Sequence, residues 1–334
     1  MYQPEEDLPV KKKKFRLFDS QREGKGIKKE DILNLKPNLR GFFTYLRRDF
    51  SRLISINMLM VIGNFPIFFA ILAFSGVGNE AYSAPIHSLF STLYGTTAGE
   101  GLNAANVSLL SIQGLQTTLY SQTTVTYVLY ALSALTLITL GPINIGSTYV
   151  MRNMLRGEPV FLFSDFRYAI KRNFKQGLIA GIIDTLALVL LVGDIAILLS
   201  SGSNVSGLLV GVIFVFFLVY LFMRPYVYLQ IVTFDLKLFK ILKNALIFAI
   251  LGIKRNVMAL LGVICLLILC IFMLFGLYGA LIPIGLALTV ALFAGLSGYM
   301  FIYAAYFKVK EIMIDPYVTK TEELQEKPIL TDRG

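Results

Sequence analysis

Few side chains in this 334-residue sequence are equipped for chemistry, and their spacing narrows the choice further. The single histidine, His87, cannot build a multi-histidine metal site, and a His-Glu-x-x-His metalloprotease helix would need a second one. Cys265 and Cys270 stand five apart inside one apolar run, so on a helix they face different ways. They read as small buried apolar residues, not as metal ligands. Asp184 and Asp194, ten apart in another apolar run, have the wrong spacing for a proteolytic dyad. No serine shares such a run with the histidine, and no Walker motif is present. The sequence therefore predicts no enzyme and no cofactor. What remains is an unusual pair of charges, Asp184 and Arg224, among apolar neighbours.

The elements that must position them follow from composition. Apolar residues make up 56% of the chain and charged residues 16%, with a mean hydropathy of +0.68. A soluble domain carries about 25% charged residues, so an integral membrane protein is expected. A bilayer core of about 30 Å takes about 20 apolar residues in helical form. Six segments qualify: Leu53–Phe74, Val125–Tyr149, Gly177–Leu199, Leu208–Tyr228, Val257–Tyr278 and Leu281–Phe307. The fold class is all-α, with six transmembrane helices as three hairpins.

The net charge of +10 comes from 31 Lys and Arg against 21 Asp and Glu. Every basic residue falls before the first span, after the last, in the loops 150–176 and 229–256, or at Arg224 near the same end. The loops 75–124, 200–207 and 279–280 contain none. By the positive-inside rule both termini are cytoplasmic, in a multi-pass protein of the cell membrane. The charge thus argues for orientation and lipid contact, and nucleic acid is not an expected partner. The chain divides into a basic cytoplasmic leader (1–39), a membrane domain (40–310) with a long outer loop (75–124), and a cytoplasmic tail (311–334). In the leader, Lys11–Lys14 with Phe15, Leu17 and Phe18 suits either attachment to the inner leaflet or solvated disorder.

Asp184 lies seven residues into its span, about 10 Å deep. Arg224 sits near the inner end of the next, antiparallel span. Three readings are open: a structural ion pair, a substrate or proton site, or an Arg224 that snorkels to the headgroups. Asp194 is close to the outer end. Asn57, Asn64 and Asn144 can hydrogen-bond between helices, and Gly177/Gly181 and Ala291/Gly295 permit close helix approach. Pro66, Pro142, Pro225 and Pro283 are expected to kink their helices.

A threefold pattern accompanies the outgoing spans. Leu46-Arg47-Arg48-Asp49-Phe50, Ile170-Lys171-Arg172-Asn173-Phe174 and Ile253-Lys254-Arg255-Asn256-Val257 each end an amphipathic stretch, at Leu39–Leu53, Phe161–Leu178 and Leu238–Ile253. Each hairpin is therefore expected to be preceded by a cytoplasmic amphipathic helix. Arg47, Arg48, Lys171, Arg172, Lys254 and Arg255 are candidate contacts for lipid or a partner. The outer loop, rich in Ser, Thr, Gly and Asn with Tyr82, Phe90, Tyr94 and Tyr120, suits either carbohydrate or a membrane surface. Short helices are expected near Pro85–Leu93 and Ala104–Tyr120, with His87 as a surface residue.

Several stretches resemble the YesL-like membrane proteins of Gram-positive bacteria. They are Phe15-Arg16-Leu17-Phe18-Asp19 and Gly24-Lys25-Gly26-Ile27, then Gly141-Pro142 with Tyr149, Arg152 and Asn153. Arg156-Gly157-Glu158-Pro159, Ser164-Asp165-Phe166 and Lys171 to Gly177 follow in order. The resemblance covers the first four spans; the first outer loop is longer than is usual in that family. It implies no catalytic residues. It implies a non-enzymatic accessory or regulatory partner of a carbohydrate ABC import system, meeting importer subunits on the cytoplasmic or membrane side. The alternative is a transporter or permease-like subunit for a small solute such as an oligosaccharide.

Overall fold

The computed structural model describes residues 37–85, 116–201, 204–276 and 281–316. These form ten α-helices and one β-hairpin: α1 (Leu39–Gly63), α2 (Pro66–Phe74), β1 (Asn79–Pro85), β2 (Gln116–Gln122), α3 (Thr124–Ser133), α4 (Thr136–Arg156), α5 (Leu162–Arg172), α6 (Phe174–Ser200), α7 (Asn204–Thr233), α8 (Leu238–Leu251), α9 (Ile253–Phe275) and α10 (Ile282–Val309). A π-helical turn, Lys310–Ile314, continues α10. Five segments are long and apolar enough to cross a membrane: Thr124–Arg156, Phe174–Ser200, Val205–Thr233, Ile253–Phe275 and Ile282–Ile314. A sixth arises if α1 and α2 count as one.

The first span is broken where Pro66 predicts a kink. It bends by 64° between Gly63 and Pro66. Proline cannot donate to the preceding turn, and Asn64 closes α1 by binding Met60 and Ile62 carbonyls. Pro142 and Pro225, by contrast, sit inside helices that continue past them, and Pro283 lies in the first turn of α10, where its missing N–H costs nothing.

The threefold pattern also resolves unequally. The amphipathic stretch Leu39–Leu53 is not a separate helix; α1 runs through it from Leu39 to Gly63. The residues between Leu46 and Leu53 include no glycine or proline. In the second copy Asn173 ends α5 and starts α6, its side chain donating to the Ala169 carbonyl at 3.1 Å. In the third the break falls earlier, at Gly252. The same basic pair therefore closes α5 as Lys171 and Arg172 but opens α9 as Lys254 and Arg255.

At the other end, β1 and β2 pair antiparallel from Asn79↔Gln122 to Pro85↔Gln116. This corrects the helices expected near Pro85–Leu93 and Ala104–Tyr120 where they meet described residues; the rest of both, with His87, lies outside them. Thr117, Thr118 and Tyr120 favour extended backbone, and a partner strand outweighs the helical bias of the alanines upstream. Thr126 Oγ1 donates to Asn79 Oδ1 at 3.0 Å, fastening the hairpin to α3.

Helices α1, α4, α7 and α10 meet at the centre, with α6 against α4 and α7, α9 against α10, and α8 against α7. Burial is concentrated where the basic residues are: Tyr45, Met151, Met154, Tyr226, Leu229, Tyr299 and Ala305 share one core there. The other halves of the spans, such as Leu186–Leu199 and Leu208–Phe216, carry mostly exposed apolar side chains, as lipid-facing helices do. Within the bilayer Asn57 joins α1 to α10, donating to the Val290 carbonyl (2.7 Å) and accepting from Gly295 N (2.6 Å). Asn57→Leu is expected to cost about 1–3 kcal/mol, two interhelical bonds at membrane values, measured as a lower unfolding midpoint in detergent.

Candidate functional site

Asp184 and Arg224 reach equal depth because α6 and α7 are antiparallel neighbours. Asp184 is ten residues from the start of α6 and Arg224 nine from the end of α7, each about 15 Å from the basic end. The structure brings them together side-on. Arg224 Nε donates to Asp184 Oδ1 at 2.6 Å and Nη2 to Oδ2 at 2.8 Å. Tyr220 and Tyr228 complete the shell, each hydroxyl donating to one carboxylate oxygen at 2.8 Å.

Asp184 is thus buried at 4% side-chain exposure with two donors on each oxygen. Four donors fill the four lone-pair directions of the carboxylate. Its chemistry is that of a fastener between α6 and α7. The two tyrosines were missed in the sequence, although they carry a readable signal. Tyr220, Arg224 and Tyr228 are spaced four apart, so they form one stripe on α7. Asp194 does not join this cluster among the described contacts.

A second set of polar contacts closes the basic end. Arg48 on α1 grips its neighbour Asp49, with Nη2 to Oδ2 at 2.7 Å, and donates to the Met154 carbonyl in the last turn of α4. Arg152 on α4 does the same one helix further on, donating to the Val232 carbonyl in the last turn of α7 and to Asn153 Oδ1 at 2.9 Å. Its guanidinium also lies 4.7 Å from the Tyr149 ring centre. Gln176 on α6 donates to the Leu236 carbonyl just past α7 at 2.9 Å. Helix C-termini carry unpaired carbonyls and partial negative charge, so cationic donors satisfy both demands. Part of the basic excess is therefore internal joinery.

The six basic candidates accordingly separate. Arg48 is turned inward, with 20% of its side chain exposed, and is taken up by Asp49 and Met154. Arg47, Lys171 and Arg172 are exposed. Lys254 is exposed, and Arg255 pairs with Glu311 at 3.2 Å. Among the described residues no three His, Cys, Asp or Glu side chains gather to hold a metal ion.

The residues from α4 to α6 that prompted the resemblance have structural explanations. An added Cβ at Gly141 would fall onto the Gly177 carbonyl oxygen, and one at Gly181 onto the Gly141 amide, so α4 and α6 touch backbone to backbone. Gly157 ends α4 at φ +71°, where glycine is strongly preferred. Asp165 accepts from Phe161 N at 2.9 Å at the start of α5, and Phe166 packs over Gly146.

Residues 120–195 match the family model described as "Protein of unknown function, DUF624", and YesL is itself placed in a family of that description. The match runs from β2 to within α6, so it includes Asp184 but neither Arg224 nor the leader. No curated protein and no solved structure matches the chain.

Proposed function

We propose that this chain is a non-enzymatic membrane scaffold that serves as an accessory or regulatory partner of a carbohydrate ABC import system. Both termini and the basic end face the cytoplasm. The observation that carries the reading is the outward face of α5. Phe166 and Ala169 are buried against the core, which fixes the rotation of the helix. Phe163, Arg167 and Lys171 then line up on the opposite side at four-residue spacing, flanked by Tyr168 and Arg172, all exposed. Arg172 Nη1 donates to the Tyr168 hydroxyl at 3.1 Å, holding the aromatic ring beside the charges. Exposed aromatic residues and arginine on a fixed helix are what protein interfaces use as anchors.

The saturation of Asp184 favours a scaffold over a translocating subunit, because the charge best placed in the spans is already consumed. The YesL-like resemblance supplies the class of partner. Affinity purification of the full chain from native membranes in mild detergent is expected to recover importer subunits. Phe163→Asp with Arg167→Glu should reduce that recovery about tenfold or more without changing the unfolding midpoint. Isolation of the unsubstituted chain as a lone protein would overturn the reading.

A further inference from the structure

The inner ends of α1, α9 and α10 enclose an apolar groove of about 670 Å³, within the about 300–1,000 Å³ of ordinary ligand pockets. Phe43 and Leu46 form one wall, Met258 and Leu269 the second, and Leu296 and Met300 the third. From Lys254 at its mouth to Leu269 the groove follows fifteen residues of α9, about 22 Å. A hydrocarbon leaflet is about 15 Å deep. The groove thus begins at headgroup level and runs past the depth of one leaflet.

Its mouth is built for negative charge. Lys254 and Arg255 both line it, and they occupy the first turn of α9, the positive end of that helix. The start of α1, at Asn38 and Leu39, opens onto the same place. Neither helix has an acidic residue in its first turn, the usual neutraliser of such ends. Glu311 offers one carboxylate to Arg255 but divides it with Lys308 at 3.3 Å. Arg255 Nη1 is buried and has no hydrogen-bond partner among the described residues. Two cations at the positive end of a helix repel unless an anion joins them.

We propose that this groove is a binding site for an anionic phospholipid, one acyl chain lying between α9 and the α1–α10 wall and the phosphate resting on Lys254 and Arg255. Charge complementarity at the mouth selects the headgroup, and the apolar depth selects a lipid over a soluble anion. The site is separate from the α5 face, so it stands or falls independently of the partner reading.

The chain contains no tryptophan, which makes the test direct. Leu269→Trp places a single fluorophore at the deep end of the groove, and Phe272→Trp places one on the same helix beyond it. The full chain is reconstituted in phosphatidylcholine vesicles doped with brominated phosphatidylglycerol or brominated phosphatidylcholine. Quenching of the Leu269→Trp reporter should reach half its limit at an about tenfold lower mole fraction of the anionic lipid. The Phe272→Trp reporter should show no preference. Adding Lys254→Gln and Arg255→Gln should abolish the difference at Leu269→Trp. Lys254→Gln alone, at an exposed position that leaves the Arg255–Glu311 pair intact, should remove part of it. Equal quenching by both lipids, a preference that survives the double substitution, or no quenching by either lipid would overturn the proposal; the last would place another occupant in the groove.

Discussion

Replacing Asp184 with alanine is expected to destabilise the folded chain by about 3–5 kcal/mol, seen as a large fall in the denaturant or thermal midpoint in detergent. One change strips three partners at once. Arg224 loses both of its bonds, and the Tyr220 and Tyr228 hydroxyls lose their acceptor, all at a depth where water cannot replace it. Asp184→Asn keeps the shape and one acceptor, so its cost should be smaller. Arg224→Met alone leaves a buried carboxylate with only the two tyrosines and should cost about as much as the alanine change. The pair Asp184→Leu with Arg224→Met should recover much of the loss, since removing both charges also removes their desolvation penalty. A double-mutant cycle measures that coupling. A fastener, moreover, predicts that the doubly substituted chain, once folded, recovers the proposed importer subunits as well as the unsubstituted chain does. Loss of capture with stability intact would return Asp184 to a direct functional role.

The second large effect is expected at the α4–α6 contact. Gly141→Ala places a Cβ against the Gly177 carbonyl and 2.8 Å from the Gly181 Cα, and Gly181→Ala collides with the Gly141 backbone in return. Backbone atoms cannot rotate aside as side chains can, so the helices must separate. That costs about 1–3 kcal/mol, typical of overpacking, and more for Gly141→Val. Gly193 on α6 and Gly207 and Gly211 on α7 have nothing within 4 Å of an added Cβ. Alanine there should leave the midpoint unchanged or raise it by up to about 1 kcal/mol of helix propensity. The contrast separates close packing from a general intolerance of larger residues. It also moves Asp184, three residues from Gly181, relative to α4, so Gly181→Ala should weaken the Asp184 coupling as well.

Particular residues show why some of this was legible beforehand and some not. Apolar length and the distribution of Lys and Arg are one-dimensional properties; five span-capable helices overlap the segments they mark, whereas Leu53–Phe74 falls on the bent pair that begins at Leu39. The α6–α7 neighbour relation followed from a short loop, so Asp184 and Arg224 could be named as a pair. Tyr220 and Tyr228 were overlooked because charge was the signal sought, and a hydroxyl reveals its role only when an acceptor faces it. In the sequence Gly141 stands beside Pro142, whose expected kink masks it. Its function as the contact point for Gly177 and Gly181 depends on which helix lies opposite.

The three basic stretches are the sharpest case. Nearly identical words, Arg47-Arg48-Asp49, Lys171-Arg172-Asn173 and Lys254-Arg255-Asn256, end in three structures: an unbroken helix, a helix end and a helix start. The breakers that decide this, Asn173 and Gly252, are themselves held by neighbours; Gly252 packs against the Tyr226 hydroxyl, which donates to Asn256 at 3.0 Å.

Length and apolar content in one dimension were enough for a mainly helical chain with span-capable helices and for the gathering of basic residues at one end, because transfer from water to lipid is additive along a helix; the β1–β2 pair was not visible there. Which charges are consumed depends on packing. It turned Arg48 and Arg152 into caps for neighbouring helices and surrounded Asp184 with four donors, and it left Lys254 and Arg255 at the mouth of a groove. A guanidinium has the same charge wherever it stands, and the carbonyls and carboxylates it meets belong to other helices.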